Sequence, residues 1–241
     1  MSLLRRWFPL GRQAPPHLRE AVRRWRALPG PNLRVPLWQT RLVVVDTETS
    51  GLDPRTARML SVGACAIDHG GVRLDQTFER TLRQDSPTDD ANILVHGLGR
   101  ERQASGEPAA EVLAAFLTYA GRPVLVGYHA LFDATIIRRS LRTALGLAPS
   151  GDWLDVAVLL PALFPDRGRP GWELDRWLQA FRLAGFARHS ALGDAYATAQ
   201  LMLLVLARAP ARGIRDPRGL FALQRTLLRR AVAADAGIPA G

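Results

Sequence analysis

The sequence predicts an α/β fold in which a mixed sheet flanked by helices occupies residues 41–208. Three strand-like apolar segments follow one another from residue 42 to residue 82 through short connections, which is the pattern of an antiparallel meander. Helix-like and strand-like segments then alternate, and this order favours a mixed sheet with helices packed against it. Residues 1–40 and 209–241 are predicted to be an arginine-rich N-terminal extension with a short helix and a basic helical C-terminal extension.

Strands are predicted where apolar residues run together between turn-forming residues. In chain order these segments are 42–47, 59–67, 72–82 and 124–126. The apolar segment 154–163 is predicted to be either a strand or the end of a helix, because periodicity does not separate the two in so short a run.

Helices are predicted where apolar residues recur every three or four positions. In chain order these segments are 18–28, 89–95, 107–120, 131–145, 173–181, 191–207 and 216–234. In the last of them leucines are interspersed with arginines, which is typical of a helix with one buried face.

Composition limits the class of protein. The 241 residues are 47% hydrophobic, enough for one substantial domain with extensions or for two small domains. No apolar run approaches the ~20 residues that a membrane-spanning helix needs, so we expect no membrane partner. Cys65 is the single cysteine, and the N-terminal stretch has no secretory apolar region and is interrupted by prolines. We therefore expect a reducing, cytoplasmic location.

Positive charge is concentrated in the two extensions. The net charge is +10 and all 32 basic residues are arginines. Residues 1–41 carry a net charge of +8, residues 205–241 a net charge of +5, and residues 42–204 a net charge of −3. Arginine-rich flanks of this kind hold a polyanion, an acidic partner or a membrane surface, or they are simply solvated helix faces.

The most informative motif is Asp46-Thr47-Glu48, which follows the apolar run 42–45. Alternate residues of a strand point to the same face, so both carboxylates project together from the end of a buried strand. Two carboxylates so close repel each other unless a cation or a proton intervenes. The motif therefore indicates a divalent metal site, and the alternative is two ordinary acids at a strand-to-loop transition.

Two further aspartates lie at predicted helix starts. Asp133 follows the strand at 124–126, where an aspartate is also common as a helix cap. Asp194 opens the helix at 191–207, where the helix dipole favours an anion. Taken singly, each has this ordinary structural explanation.

Taken together, these motifs resemble the DEDDh 3′→5′ exonuclease family, which includes proofreading subunits of bacterial DNA polymerase III and RNase T-like enzymes. The resemblance extends over about residues 41–208. The motifs that carry it are Val45 to Pro54, Val95-His96-Gly97-Leu98, Phe132-Asp133, Leu154-Asp155-Val156, and His189 to Asp194 with four residues between the histidine and the aspartate.

The resemblance implies a ribonuclease-H-like, five-stranded mixed sheet and a two-metal active site. Asp46, Glu48, Asp133 and Asp194 would be the four acidic ligands. Ligation by oxygen alone suits two Mg²⁺ or Mn²⁺ ions and argues against Zn²⁺. His189 would be the general base that takes a proton from the attacking water, because an imidazole titrates near neutral pH.

The resemblance also implies substrate contacts. Thr49 and Leu52 follow the first motif, where family members touch the terminal nucleotide, and His96 lines the same cleft or is a plain loop residue. Many relatives have His-Asn where this chain has Tyr128-His129. This departure leaves two interpretations of His129, either a replacement hydrogen-bonding group near the substrate or a structural residue.

The predicted activity is metal-dependent hydrolysis of nucleic acids from the 3′ end, releasing nucleoside 5′-monophosphates. Single-stranded DNA is favoured as the substrate, and RNA trimming is the alternative, because motifs around metals do not report the sugar and contacts to the 2′-OH do. An alternative of another class is a non-catalytic subunit that binds nucleic acid or docks onto a DNA polymerase, since a fold alone does not secure activity.

Overall fold

A computed structural model describes residues 14–86, 88, 93, 97–183 and 190–235, and it confirms the predicted α/β class. The strands are β1 (Leu42–Thr49), β2 (Met59–Asp68), β3 (Gly71–Thr81), β4 (Val124–Gly127) and β5 (Leu154–Asp155). The helices are α1 (Arg19–Ala27), α2 (Arg100–Ala104), α3 (Ala109–Ala120), α4 (Leu131–Leu145), α5 (Val156–Leu163), α6 (Leu174–Ala180), α7 (Ala191–Arg208) and α8 (Pro217–Asp235).

The five strands form one mixed sheet in the order β3-β2-β1-β4-β5. The first three strands are the predicted antiparallel meander. Strand β4 runs parallel to β1, with Leu42 opposite Val124, and β5 runs parallel to β4. The carboxyl ends of β1, β4 and β5 therefore meet at one edge of the sheet, and the acidic motif of β1 lies at that edge.

Alternation along β1 divides the core between the two faces of the sheet. Val44 packs on one face against α5, α6, α7 and α8, whereas Val43 and Val45 pack on the other face against α3 and α4. Cys65 lies inside the first of these cores, and burial raises the pKa of its thiol to about 12. It is the small buried apolar residue that its sequence context predicts.

The ambiguous segment 154–163 contains both elements. Leu154 and Asp155 form the short strand β5, and helix α5 begins directly afterwards at Val156. The change occurs at Asp155 because its carboxylate accepts a hydrogen bond from the backbone N–H of Ala157, which caps the helix. The predicted helix at 89–95 lies largely outside the described residues, and α2 was not predicted.

Both extensions contact the sheet domain where they are described. Leu18 and Val22 of the N-terminal segment are buried with α3 and α4, and Leu220 of α8 is fully buried in the opposite core. The backbone N–H of Leu37 also donates to the carbonyl of Arg215. The boundaries at residues 41 and 208 remain predictions. No helix among the described residues combines the length and apolar character that a bilayer crossing requires.

Gly63 sets the distance between the sheet and the start of α7. A Cβ atom added at Gly63 would lie 2.1 Å from the carbonyl carbon of Ala191 and from the nitrogen of Leu192. Both are backbone atoms, so no side-chain rotation relieves the overlap. Because Gly63 is the partner of Asp46 in the β1–β2 ladder, this close approach brings α7 next to the acidic motif.

We predict that Gly63→Ala lowers the free energy of unfolding by about 1–3 kcal/mol, because overpacking a filled site forces a backbone shift. Urea denaturation measures the change. Gly30→Ala is the matched control, since no heavy atom lies within 4 Å of its added Cβ. Equal stability of the two variants would contradict the proposed constraint.

Candidate metal centre

Asp46 and Glu48 project from the same face of β1, as the alternation along the strand predicts. Both residues are half-buried at the carboxyl end of the strand. The β1–β2 pairing is irregular between Glu48 and Thr49, where Leu60 of β2 has no partner in the register. Such bulges re-aim side chains near functional sites, and this one lies where β1 leaves the sheet.

The first turn of α7 places Asp194 next to these two residues. Ser190 caps the helix by accepting a hydrogen bond from Gly193 N–H at 3.1 Å, and Asp194 N–H donates to the Ser190 carbonyl at 2.9 Å. These bonds fix the start of the helix over Gly63. Carboxylate oxygens of Asp46, Glu48 and Asp194 then lie within 4.8 Å of one another.

The donor set of this cluster fits a hard divalent cation. Three carboxylates so close repel one another unless cations or protons intervene. Carboxylate oxygens are the ligands that Mg²⁺ and Mn²⁺ prefer, and no sulfur or imidazole belongs to the cluster among the described residues. This donor set supports dependence on a divalent metal.

Asp133, the fourth predicted ligand, lies outside this three-residue cluster in the described structure. It occupies the first turn of α4 and is 3% exposed. Its Oδ1 atom accepts a hydrogen bond from the Thr47 hydroxyl at 2.6 Å. Thr47 points to the opposite face of β1 from Asp46 and Glu48, so Asp133 approaches the motif from the side of α4. Its role as a ligand stays a prediction.

Burial raises the pKa of Asp133 to about 7, and the hydrogen bond from Thr47 acts in the opposite direction. The negative charge of Asp155 adds to the increase. Near neutral pH a substantial fraction of Asp133 therefore carries a proton in the metal-free protein. A cation bound nearby would favour the charged form.

The turn that leads into α4 is held by Asp155. Its Oδ1 and Oδ2 atoms accept hydrogen bonds from the backbone N–H groups of His129 and Ala130, at 3.0 and 3.1 Å. Ala130, at the N-cap position, has no side chain that can cap the helix. The carboxylate of Asp155, the last residue of β5, therefore takes over this function from a different strand.

Two of the predicted substrate-contacting residues, Thr49 and Leu52, directly follow the acidic motif in the chain. Leu52 is 93% exposed on the β1–β2 loop, and Thr49 donates its hydroxyl hydrogen bond to the Gly51 carbonyl. Arg139 of α4 anchors this loop by donating to the carbonyls of Pro54 and Ala57. A leucine with so little burial is available to contact a ligand, and the tethered loop keeps its position relative to α4.

His129 is an exposed residue with a φ of 54°, in the left-handed region. Its backbone is engaged by Asp155, and its ring contacts the Tyr128 ring edge-on at a centroid distance of 4.9 Å. These contacts give His129 a structural function, whereas its contact with substrate stays a prediction. His96 and His189 lie outside the described residues, so their predicted roles stay predictions as well.

Three residues that support the site were not singled out from the sequence. Gly63 had a detectable signal, since an isolated glycine within a strand pattern indicates a close backbone approach. Asp155 also had a signal, since an aspartate before an apolar run is typical of a helix cap. Thr47 had no signal of its own, because its partner Asp133 lies 86 residues away.

Comparison with known proteins defines the class of this protein. A family model described as Exonuclease, of the RNase T type, matches residues 43–202. The solved structure of E. coli exonuclease I in complex with a dT13 oligonucleotide superimposes with a TM-score of 0.60 at 23% identity, covering 72% of this chain and 42% of that one. Together with the sheet order, this likeness confirms the predicted ribonuclease-H-like fold.

The chain belongs to the RNase T-type exonuclease family, as the sequence predicted. A DNA polymerase III subunit epsilon-like protein of Rhodobacter capsulatus is 31% identical over 182 residues, 74% of this chain and 25% of the relative. A PolC-type DNA polymerase III of Thermotoga petrophila is 28% identical over 161 residues, 67% of this chain. The chain spans only 11% of that polymerase.

We predict that Asp133 makes the metal-free protein less stable as the pH rises from 5 to 8. The ordinary pKa of an aspartate is near 3.8, and that of folded Asp133 is about 7. Between these values the folded state binds more protons than the unfolded state, so stability falls with rising pH. From pH 5 to the folded pKa is about two units, so the loss between pH 5 and pH 8 is roughly 3 kcal/mol, at about 1.4 kcal/mol per pKa unit.

Urea denaturation in EDTA at pH 5 and pH 8 measures this effect. Asp133→Asn removes the titrating group, so the variant should gain stability relative to the wild type as the pH rises. Asn in place of the exposed Asp152 is the control and should follow the wild type. Parallel pH profiles for Asp133→Asn and the wild type would show that the pKa of Asp133 is not raised.

Proposed function

We propose that this protein is a metal-dependent 3′→5′ exonuclease that hydrolyses nucleic acids and releases nucleoside 5′-monophosphates, with DNA favoured as the substrate. The observation that carries the proposal is the convergence of Asp46, Glu48 and Asp194 within 4.8 Å on a domain of the exonuclease family. A subunit that only binds nucleic acid has no need of three mutually repelling carboxylates.

Asp46, Glu48 and Asp194 would hold two Mg²⁺ or Mn²⁺ ions together with Asp133, which carries its own charge more readily once a cation is near. When bound, two divalent ions supply the positive charge that neutralises the scissile phosphate and eases loss of a proton from the attacking water. Residues 42–204 have a net charge of −3, so two divalent ions bring this part of the chain to about +1. The bound metals would thus supply the positive charge that attracts a polyanion to the centre.

His189 is the proposed general base. It directly precedes Ser190, the residue that caps α7, and it follows the spacing of the family motif. A histidine here would accept the proton of the attacking water, because its neutral ring is populated at physiological pH. Leu52, Thr49 and His96 would contact the terminal nucleotide, and Leu52 is the most exposed large apolar side chain of the described residues.

DNA is favoured over RNA because the segment from Asp46 to Pro54 closely resembles the first motif of the proofreading type. The named relatives support the same choice, since one is a PolC-type DNA polymerase III and the other a DNA polymerase III subunit epsilon-like protein. The exonuclease I neighbour was solved with an oligo-dT strand. We further propose that the chain works with a DNA polymerase, in keeping with the names of these relatives.

The proposal is tested with 5′-labelled oligonucleotides in Mg²⁺ or Mn²⁺, using single-stranded DNA, mismatched duplex DNA and RNA of the same sequence. We expect a ladder of products shortened from the 3′ end, with the highest kcat/KM on DNA. Asp46→Asn should lower kcat by about a thousandfold or more, because loss of a metal ligand removes several kcal/mol of transition-state stabilisation. Mn²⁺ binding to each protein, measured by calorimetry, should weaken in parallel.

Asp75→Asn is the matched control, since Asp75 is an exposed acid on β3. It should retain full activity. If the wild type and Asp46→Asn are equally inactive on every substrate and bind Mn²⁺ equally, the proposed function is wrong. A higher kcat/KM on RNA than on DNA would support the proposed hydrolysis but show that RNA, not DNA, is the preferred substrate.

We also predict that arginines of α8 contribute to nucleic-acid binding through counterion release. Arg225, Arg229 and Arg230 are exposed on this helix. Each arginine that contacts a phosphate of a single strand adds about 0.7 to the salt dependence of log K. Replacing all three with glutamine should lower the slope of log K against log salt concentration by up to about 2.

Fluorescence anisotropy with labelled single-stranded DNA in Ca²⁺, at several salt concentrations, measures this slope. Glutamine at Arg73, an arginine of β3 that is paired with Asp75, is the control and should leave the slope unchanged. An unchanged slope in the triple variant would show that α8 is a solvated helix face that does not contact the substrate.

A further inference from the structure

Helix α8 reaches the strand that supports the metal centre through one buried side chain. Gln224 is 7% exposed. Its Oε1 atom accepts a hydrogen bond from the backbone N–H of Asp155 at 2.7 Å, and its Nε2 atom donates to the Trp153 carbonyl at 2.9 Å. A single side chain therefore bonds two backbone groups on either side of Leu154, in the manner of a neighbouring strand.

This contact matters because β5 is the edge strand of the sheet and has only two residues. It pairs with β4 through Val126 and Gly127 alone. An edge strand this short has little pairing of its own to hold it in register, and its outer backbone groups need partners. Gln224 supplies these partners and thereby fixes the position of Asp155.

The carboxylate of Asp155 in turn fixes the position of the start of α4. It accepts hydrogen bonds from His129 and Ala130 at the entrance of the helix, and Asp133 follows in the first turn. The carboxylate also caps α5 through Ala157, so its orientation is fixed from two sides. Each bond in the path from Gln224 to the first turn of α4 is 3.1 Å or shorter.

We propose that Gln224 is a positioning residue of the metal centre, acting through Asp155 on the start of α4 and hence on Asp133. This inference rests on the proposed function for its effect on catalysis. It makes the C-terminal helix a part of the active-site framework. Misplacing a catalytic group by about 1 Å can lower a rate by as much as a hundredfold, so one hydrogen-bonded side chain in α8 is enough to affect turnover.

Gln224→Met tests the proposal, because methionine has a similar length and makes neither hydrogen bond. We expect faster amide hydrogen exchange at residues 130–134, a kcat about tenfold lower and an unchanged KM for DNA. The Mn²⁺ concentration for half-maximal activity should rise. Gln224→Glu retains the acceptor for Asp155 N–H and should restore part of kcat.

Leu220→Ala is the control for general loss of stability, since Leu220 is a fully buried core residue of the same helix. It should lower the melting temperature at least as much as Gln224→Met while leaving kcat and exchange at residues 130–134 unchanged at 20 °C. If the two variants behave alike in both measurements, Gln224 is an ordinary packing residue and the proposal is wrong.

A double variant with Asp155→Asn tests the path itself. If Gln224 acts through Asp155, the two losses in kcat should not add, since residues of one network are coupled. Additive losses would overturn the path. Should the wild type lack nuclease activity, the proposed function fails, yet hydrogen exchange at residues 130–134 in Gln224→Met still decides whether α8 positions α4.

Discussion

The close approach of α7 to β2 is the constraint on which the metal centre depends. Gly63 has no side chain, and the first turn of α7 occupies the space that a Cβ would fill. Asp194 is thereby held near two carboxylates of β1 that repel it. The packing of a long apolar helix on the sheet, with Ala195, Ala199 and Met202 buried, provides the stability that this repulsion opposes.

Asp133 and the start of α4 are held in place by hydrogen bonds between elements that are far apart in the chain. Strand β1 brings Thr47 to Asp133, and β5 brings Asp155 to the entrance of α4. Thr47 and Asp133 are buried and Asp155 is half-buried, and the hydrogen bonds of Asp133 and Asp155 described above are 2.6 to 3.1 Å long. Buried polar networks that are fully satisfied specify one arrangement, because every alternative leaves a donor or an acceptor without a partner.

The sequence predicts those parts of the site that depend on local pattern. Alternation along β1 is enough to place Asp46 and Glu48 together, and an acid at a helix start is enough to place Asp194 in a first turn. Pairings between distant segments have no local signal, so Gln224 and Asp155, 69 residues apart, were not connected. The segment 154–163 was ambiguous for a related reason: a two-residue strand has no periodicity, and only its pairing with β4 defines it.

The Tyr128-His129 pair shows how a backbone requirement selects a residue type at the edge of the site. Position 129 has a positive φ, a conformation in which asparagine, aspartate and histidine are several-fold enriched among residues other than glycine. The histidine of this chain therefore suits the backbone conformation of this turn. Asp155 accepts its hydrogen bond from the backbone N–H of His129, so this bond at the start of α4 does not require a particular side chain at position 129. Tyr128, in turn, donates its hydroxyl hydrogen bond to the Trp172 carbonyl, which ties the same turn to the segment before α6.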